Sequence, residues 1–341
     1  MQTARNLFTS NFSRSAFKNG LNGSKVLKST VKLMAIIVLC TFLLIFLEGL
    51  LQNTGSVIER KRAIAQREED SIDILFIGNS HAYCTYDPAV IEETIDKRVL
   101  NAGLPDQKID LTYYTLRELL EKQNPETIVL DAFAFGRSNS TYKGFVANVD
   151  AMDISLVKLK ACFEIFPDKY DALRMTFRIF RDHSNWKKTE LMKENLKIKL
   201  GMPSKNYDAF DGFYPLDTKM SADTIKMYRE SKTSEFTPVI DSYSIDYFER
   251  IVKLCKDRGI KLIITMAPFN ELYLEKIQYS DIYSKMAGLC KEQEVEYIDF
   301  NKYYHEIGLN YDDFEDAFHN AQHTNKWGAE KVSRYLADYL K

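Results

Sequence analysis

Apolar residues recur along the chain in three rhythms, and each rhythm predicts a different element. From Leu33 to Leu47 the sequence LMAIIVLCTFLLIFL carries no charge; Glu48 interrupts it and Gly49-Leu50-Leu51 extends it. A helix of about 20 mostly apolar residues crosses a bilayer, so 33–51 is predicted as a transmembrane helix with Glu48 at the interface. Further on, short apolar runs return at Ile72–Ile77, Arg98–Leu100, Thr127–Leu130, Lys261–Met266 and Val295–Phe300. Their length suits strands. Between them the spacing is helical. Residues 109–122 carry Tyr113, Leu116, Leu119 and Leu120, a second stripe of Phe248, Ile251, Val252 and Cys255 stops at Gly259, and the chain closes on Val332, Tyr335, Leu336, Tyr339 and Leu340. Strands alternating with helices predict a parallel α/β sheet. The alternation fails from about 145 to 240, a stretch rich in Phe, Tyr, Lys and Met that reads as a helical and loop insertion. No internal repeat or low-complexity tract interrupts the chain.

The organisation expected is therefore a tail at 1–32, a membrane helix at 33–51, a stalk or helical extension at 52–70, and one α/β domain at 71–341 that carries the insertion. Charge sets the orientation. Arg5, Arg14, Lys18, Lys25, Lys28 and Lys32 precede the apolar run, with no acid among them. The positive-inside rule places the N-terminus in the cytoplasm and residues after about 52 outside. No small-x-small cleavage site follows Leu51, so an uncleaved anchor is expected rather than a removed signal peptide. A net charge of -2 without a long basic run gives no reason to expect a nucleic-acid partner. The five cysteines are widely spaced and show no disulfide framework or zinc motif.

Candidate chemistry lies at the end of the first strand, where Gly78-Asn79-Ser80-His81 begins. Ligands of open α/β sheets bind beyond the carboxyl ends of strands, so a serine after a glycine turn presents its hydroxyl there. A hydroxyl needs a base within hydrogen-bond reach to act as a nucleophile; alone, Ser80 reads equally as a helix N-cap. The base candidates are His319 and His323. Being four residues apart, they could also share a helix face and bind metal, but the zinc helix needs a Glu after the first His, and Asn320 stands there. No metal or other cofactor is expected.

Taken together, GNSHAY at 78–83, Asn101-Ala102-Gly103 after the second strand, and the H-x-N-x-x-G-A block from His323 to Ala329 resemble the SGNH/GDSL hydrolase-like superfamily over most of 71–341. The resemblance implies a three-layer α/β/α, flavodoxin-like fold with a five-stranded parallel sheet. It implies Ser80 as nucleophile, His323 as base in preference to His319, and the amides of Ser80 and Gly103 as oxyanion donors. The chain departs from the family pattern in three places. Asn79 replaces the aspartate of the GDSL subgroup. The third block lacks its G-x-N-D, leaving Asn139 as the stand-in oxyanion donor. Asn320 occupies the acid position three residues before His323, while a literal D-x-x-H runs from Asp316 to His319. The partner orienting His323 is thus Asn320, Asp316 or a backbone carbonyl. His81 lines the site or caps the helix. His183 and Trp186, within the insertion, are read either as packing or as substrate-facing residues of a lid.

Anchored proteins of this layout resemble accessory acyltransferases of cell-envelope O-acylation, such as alginate O-acetylation proteins and the D-alanyl-transfer protein of teichoic acid systems. That implies O-acyl transfer to an envelope polysaccharide beside a membrane-bound O-acyltransferase partner. The alternatives are a carbohydrate esterase and a catalytically degenerate binding or scaffold module.

Overall fold

The computed structural model describes residues 12–53, 55–135, 142–200, 202, 211–230, 240–277, 279–316 and 322–341. The apolar runs become β1 (Ile74–Ile77), β2 (Val99–Asn101), β3 (Thr127–Asp131), β4 (Lys261–Met266) and β5 (Glu296–Asp299). They pair in parallel in the order β2-β1-β3-β4-β5. In register, Ile74 faces Val99 on one side and Thr127 on the other, and Thr127 in turn faces Lys261. Strands of a parallel sheet are covered on both faces, which is why β1 reads ILFI with every residue buried.

The helices before the insertion are α1 (Phe12–Leu50), α2 (Ser56–Ala65), α3 (Ser80–Thr85), α4 (Pro88–Thr94) and α5 (Ile109–Leu119). The insertion adds α6 (Tyr142–Asp150), α7 (Leu156–Ile165), α8 (Lys169–Thr176), α9 (Thr189–Lys199) and α10 (Ala222–Glu230). The rest are α11 (Ser242–Arg258), α12 (Glu271–Leu274), α13 (Tyr279–Glu292), α14 (Tyr304–Ile307) and α15 (Lys326–Leu340). The chain crosses the sheet one way from β1 to β2 and the other way from β2 to β3 and from β3 to β4. Right-handed crossovers therefore put α4 on one face and α5 and α11 on the other. The packing agrees: α15 lies on α3 and α4, and α5 lies on α11. This order reverses direction at β1, and the crevice between the carboxyl ends of β1 and β3 is where such folds hold ligands.

The predicted elements shift at their edges. The helix expected over 109–122 ends at Leu119. The face of α15 is built from Ala329, Val332, Leu336 and Ala337, whereas Tyr339 is 49% exposed. Within α1, Lys25–Leu50 is long and apolar enough to span a bilayer, its most apolar 18 residues having a mean hydropathy of 2.6, and its apolar side chains lie open on every side: Leu33, Ile37 and Phe42 are all exposed.

Within 52–70, read as a stalk or a helical extension, α2 is a helix that buries Ile58 and Ile64. Buried Arg60 donates from Nε to the Gly103 carbonyl at 3.1 Å, and buried Lys61 pairs with Glu118 at 3.2 Å. The insertion divides into two parts with different tasks. In its first part, α9 and the turns at 178–187 hold the end of α1, while α7 lies on α5 and α6 on α2. Residues 211–221 instead run past the carboxyl end of the sheet: Tyr214 donates its amide to the Tyr83 carbonyl, Met220 to that of Phe314, and the Leu216 carbonyl accepts from Lys326.

If α2 is part of the core, Ile64→Ala should lower the unfolding free energy of the detergent-solubilised protein by about 2–5 kcal/mol, as buried Ile truncations do. Urea unfolding measures it. A change within about 0.5 kcal/mol, the range of solvated surface positions, would return α2 to the role of a free stalk.

Candidate active site

Strand β1 ends at a turn that only glycine can make. Gly78 has φ +148°, and a Cβ there would meet the Asp131 Cβ at 3.1 Å and the Ala82 Cβ at 3.2 Å. Asn79 follows as the N-cap of α3, its side chain accepting from the His81 amide at 3.1 Å. The helix start thus has its cap, and the Ser80 hydroxyl is left for other work. Ser80 is the first helical residue, where backbone amides have no intrahelical acceptor.

The C-terminal block brings the second side chain. A short antiparallel bridge pairs Phe314 with Thr324. Thr324 Oγ1 lies 3.0 Å from Thr85 Oγ1 and donates to the Cys84 carbonyl at 3.1 Å, clamping this segment onto α3. Asn325 caps α15 by accepting from the Trp327 and Gly328 amides. Gly328 packs so closely on the Asp313 carbonyl that a Cβ would overlap it. The spacing H-x-N-x-x-G therefore has a structural cause: one residue reaches α3, the next but one caps the helix, and the glycine lets that helix approach.

The result is that His323 Nε2 stands 2.8 Å from Ser80 Oγ, with the histidine 8% exposed and the serine half-buried. That distance lies within the range of a nucleophile and its base. His81 packs beside this pair, its ring 3.9 Å from that of Phe133, 4.7 Å from His323 and 5.2 Å from Phe269. Both its ring nitrogens are buried without a hydrogen-bond partner. Burial first, then the nearby His323 and Lys108, pushes its pKa well below the ordinary 6.5. Its place is against the pair, and the cap belongs to Asn79.

Asp316 is engaged elsewhere. Its carboxylate accepts from the Ser221 amide at 2.9 Å and from the hydroxyls of Ser221 and Thr224 at 2.8 and 2.6 Å. These bonds fasten the first turn of α10, and none of the carboxylate's described bonds goes to His323. The Gly103 amide, expected at the oxyanion, donates to Asn101 Oδ1 at 3.1 Å, while the Asn101 amide group donates to the carbonyls of Ala82 and Tyr86. His183 and Trp186 sit on the anchor side: their neighbour Asn185 donates to the Leu51 carbonyl at 2.9 Å. Asn139, His319 and Asn320 lie outside the described residues.

Asn101, quoted above only as part of a block, and Asp131 support the site from below. Asn101 is fully buried and ties β2 to α3. Asp131, at the end of β3, accepts from the amides of Phe133 and Ala267 and from Tyr86 OH, each at 3.0 Å; burial pushes its carboxyl up to about 6 against these donors. An acid ending an apolar strand is the signal that could have found it. Among the described residues, no group of His, Cys, Asp and Glu gathers to hold a metal ion. A cavity of about 110 Å³ between α2 and α5, lined by Lys61, Ile64, Leu104 and Glu118, contains none of Ser80, His81 or His323.

No family model and no curated protein matches this chain. Among solved structures it is similar to a "putative acylhydrolase" from Bacteroides fragilis, at 11% identity and a TM-score of 0.35, covering 82% of this chain and 94% of that one. It is also similar to an acetyl xylan esterase at 14% identity and a TM-score of 0.34, covering 79% of this chain and 98% of the esterase. Overlays this loose do not speak to the reaction of this chain.

The state of His81 has a measurable consequence. A histidine held neutral in the fold takes up a proton only on unfolding, so stability is full above 6.5 and falls as pH drops below it. Urea midpoints at pH 7.5 and 5.5 should show the wild type losing more than His81→Phe. Equal losses would mean that His81 is protonated in the folded protein.

Proposed function

We propose that this chain is an extracytoplasmic, serine-dependent acyl-ester enzyme, anchored by α1, that transfers an O-acyl group to a cell-envelope polysaccharide. The observation that carries the reading is the 2.8 Å approach of Ser80 Oγ to His323 Nε2. In the first half-reaction Ser80 Oγ attacks the carbonyl carbon of an acyl ester as its proton passes to His323 Nε2. The Ser80 amide donates to the oxyanion that forms, an interaction typically worth about 10²–10³ in rate per donor. Collapse breaks the ester C–O bond, and the imidazolium returns its proton to the leaving oxygen. In the second half-reaction His323 takes the proton of a sugar hydroxyl as it attacks the Ser80 ester, the bond from the acyl carbon to Ser80 Oγ breaks, and the imidazolium returns its proton to Oγ. Water in place of the sugar makes the same site an esterase.

The acceptor class and the compartment are supported by the anchor. The apolar side chains of α1 from Val26 to Leu47, half-buried Leu44 apart, are exposed, as suits a lipid surrounding, and the basic flank before them favours an external domain. The SGNH-like blocks, joined to such an anchor, resemble accessory proteins of envelope O-acylation. A membrane-bound O-acyltransferase is the partner class that would supply the acyl group across the bilayer.

Ser80→Ala, His323→Ala and the double variant should each lose activity on an aryl acetate by roughly 10⁴–10⁶-fold and reach a similar floor, since either change disables the same step. Asp316→Asn should keep most activity. A fluorophosphonate should label the wild type and not Ser80→Ala. Full activity in folded Ser80→Ala would leave a binding module instead. Loss of envelope acylation in cells carrying Ser80→Ala supports transfer, whereas excess acylation there supports the esterase.

For topology, protease added to intact spheroplasts should remove an epitope fused after Lys341. An epitope that survives until the membrane is permeabilised would place the domain inside.

A further inference from the structure

The end of α1 does not emerge into a flexible linker. Glu48 is buried, and its carboxylate accepts from the amides of Arg178 and Ile179 at 2.7 and 2.9 Å. Asn185 donates to the Leu51 carbonyl at 2.9 Å. Asn195 donates to the carbonyls of Leu50 and Gln52 at 2.9 and 2.7 Å. Three parts of the insertion thus grip residues 48–52, so its position is fixed relative to the membrane helix.

The register of α9 gives the depth. Asn195 meets α1 at the level of residues 50–52, and four residues later the aliphatic chain of Lys199 lies against Gly49, with its ammonium 5.8 Å from the Phe46 ring. α9 therefore runs back along α1 towards the apolar span, and four residues of helix cover about 6 Å. Its end carries Leu200, 68% exposed, and beyond it Met202, 51% exposed. Phe180, beside the Ile179 that bonds Glu48, is 58% exposed, and Trp186, beside the Asn185 that bonds Leu51, is 63% exposed. Four large apolar side chains from separate turns thus stand bare around the neck of a membrane helix. Tryptophan at such a level, with lysines beside it, is the signature of a lipid–water interface. Lys187 lies 5.6 Å from the Trp186 ring, and Lys188 is exposed next to it.

We propose that Phe180, Trp186, Leu200 and Met202 enter the interfacial layer of the bilayer that α1 crosses, with Lys187, Lys188 and Lys199 among its anionic headgroups. The occupant of this face is the phospholipid leaflet itself. The insertion is then a collar that seats the α/β domain on the membrane and holds the Ser80–His323 pair at a fixed height above the leaflet. This rests on α1 being a membrane span and is independent of the acyl chemistry.

The chain has two tryptophans, Trp186 and Trp327. In full-length W327F reconstituted into vesicles of phosphatidylcholine and phosphatidylglycerol, Trp186 is the only tryptophan. Acyl chains brominated near the headgroup should quench its emission at least about twofold, and aqueous iodide should quench it weakly, as for an interfacial tryptophan. Adding Leu200→Asp and Met202→Asp should lift the collar and reverse both effects. Vesicle flotation separates the two ideas. A protein that floats while Trp186 is quenched by iodide and not by bromine retains its anchor and has no collar. A protein that fails to float lacks both. Bromine quenching that survives the double aspartate change overturns insertion of the α9 end.

Discussion

One buried carboxamide, that of Asn325, ties together the stretches of chain that hold His323 in place. Its nitrogen reaches the carbonyls of Thr218, Asp312 and Phe314, and its oxygen accepts the first free amides of α15. Those groups belong to the insertion's second part, to the loop before the histidine and to the last helix. Left without this partner, each buried backbone group would cost about 1–3 kcal/mol. The position of the imidazole two residues away depends on all of them being satisfied at once. Thr324 adds the link to α3, so the serine and the histidine, 243 residues apart, are fixed to a common frame.

The other half of that frame is the sheet. β1 and β3 part at their carboxyl ends, and a buried acid, Asp131, occupies the gap. Tyr86 OH lies 3.0 Å from its carboxylate and 2.8 Å from Thr265 Oγ1, so the phenol joins the residue that follows α3 to the ends of β3 and β4. A carboxylate so enclosed is costly unless donors surround it, and two backbone amides and a phenol do so here. Gly78 packs on the Asp131 Cβ, so the turn that presents Ser80 rests directly on this node. His81 sits on the far side of Ser80 among Phe133, Phe269 and His323. An apolar neighbour of that kind lowers the local polarity around the His323 imidazole.

At the membrane end the same logic of satisfied buried polar groups applies to Glu48. An acid near the end of a span is expensive in lipid, yet here two backbone amides meet its carboxylate and the Arg178 side chain donates to its carbonyl. The segment that broke the α/β rhythm thus holds the end of α1 with its first part and the segment that carries His323 with its second.

The sheet was legible because strands covered on both faces must be apolar throughout, and α1 because lipid demands an uninterrupted apolar run. Ser80 was legible from its place after β1, and His323 from a spacing that cap and close-packing geometry explain. What the chain alone could not disclose was set by contacts between distant residues. Asp316 stands in a D-x-x-H string and looks like an orienting acid, but its carboxylate is taken by Ser221 and Thr224, 95 and 92 residues away. Gly103 carries the family-like position, yet its amide is turned to Asn101. His183 and Trp186 stayed open between packing and a lid because composition cannot say which end of the molecule an insertion covers. Sequence by itself determined the elements, the apolar span and the two side chains that meet at 2.8 Å, since each of these follows from local periodicity or a short motif. Tertiary structure alone decided which polar groups are already satisfied and which are left for chemistry, because hydrogen-bond partners are chosen by the packing of segments that the sequence keeps far apart.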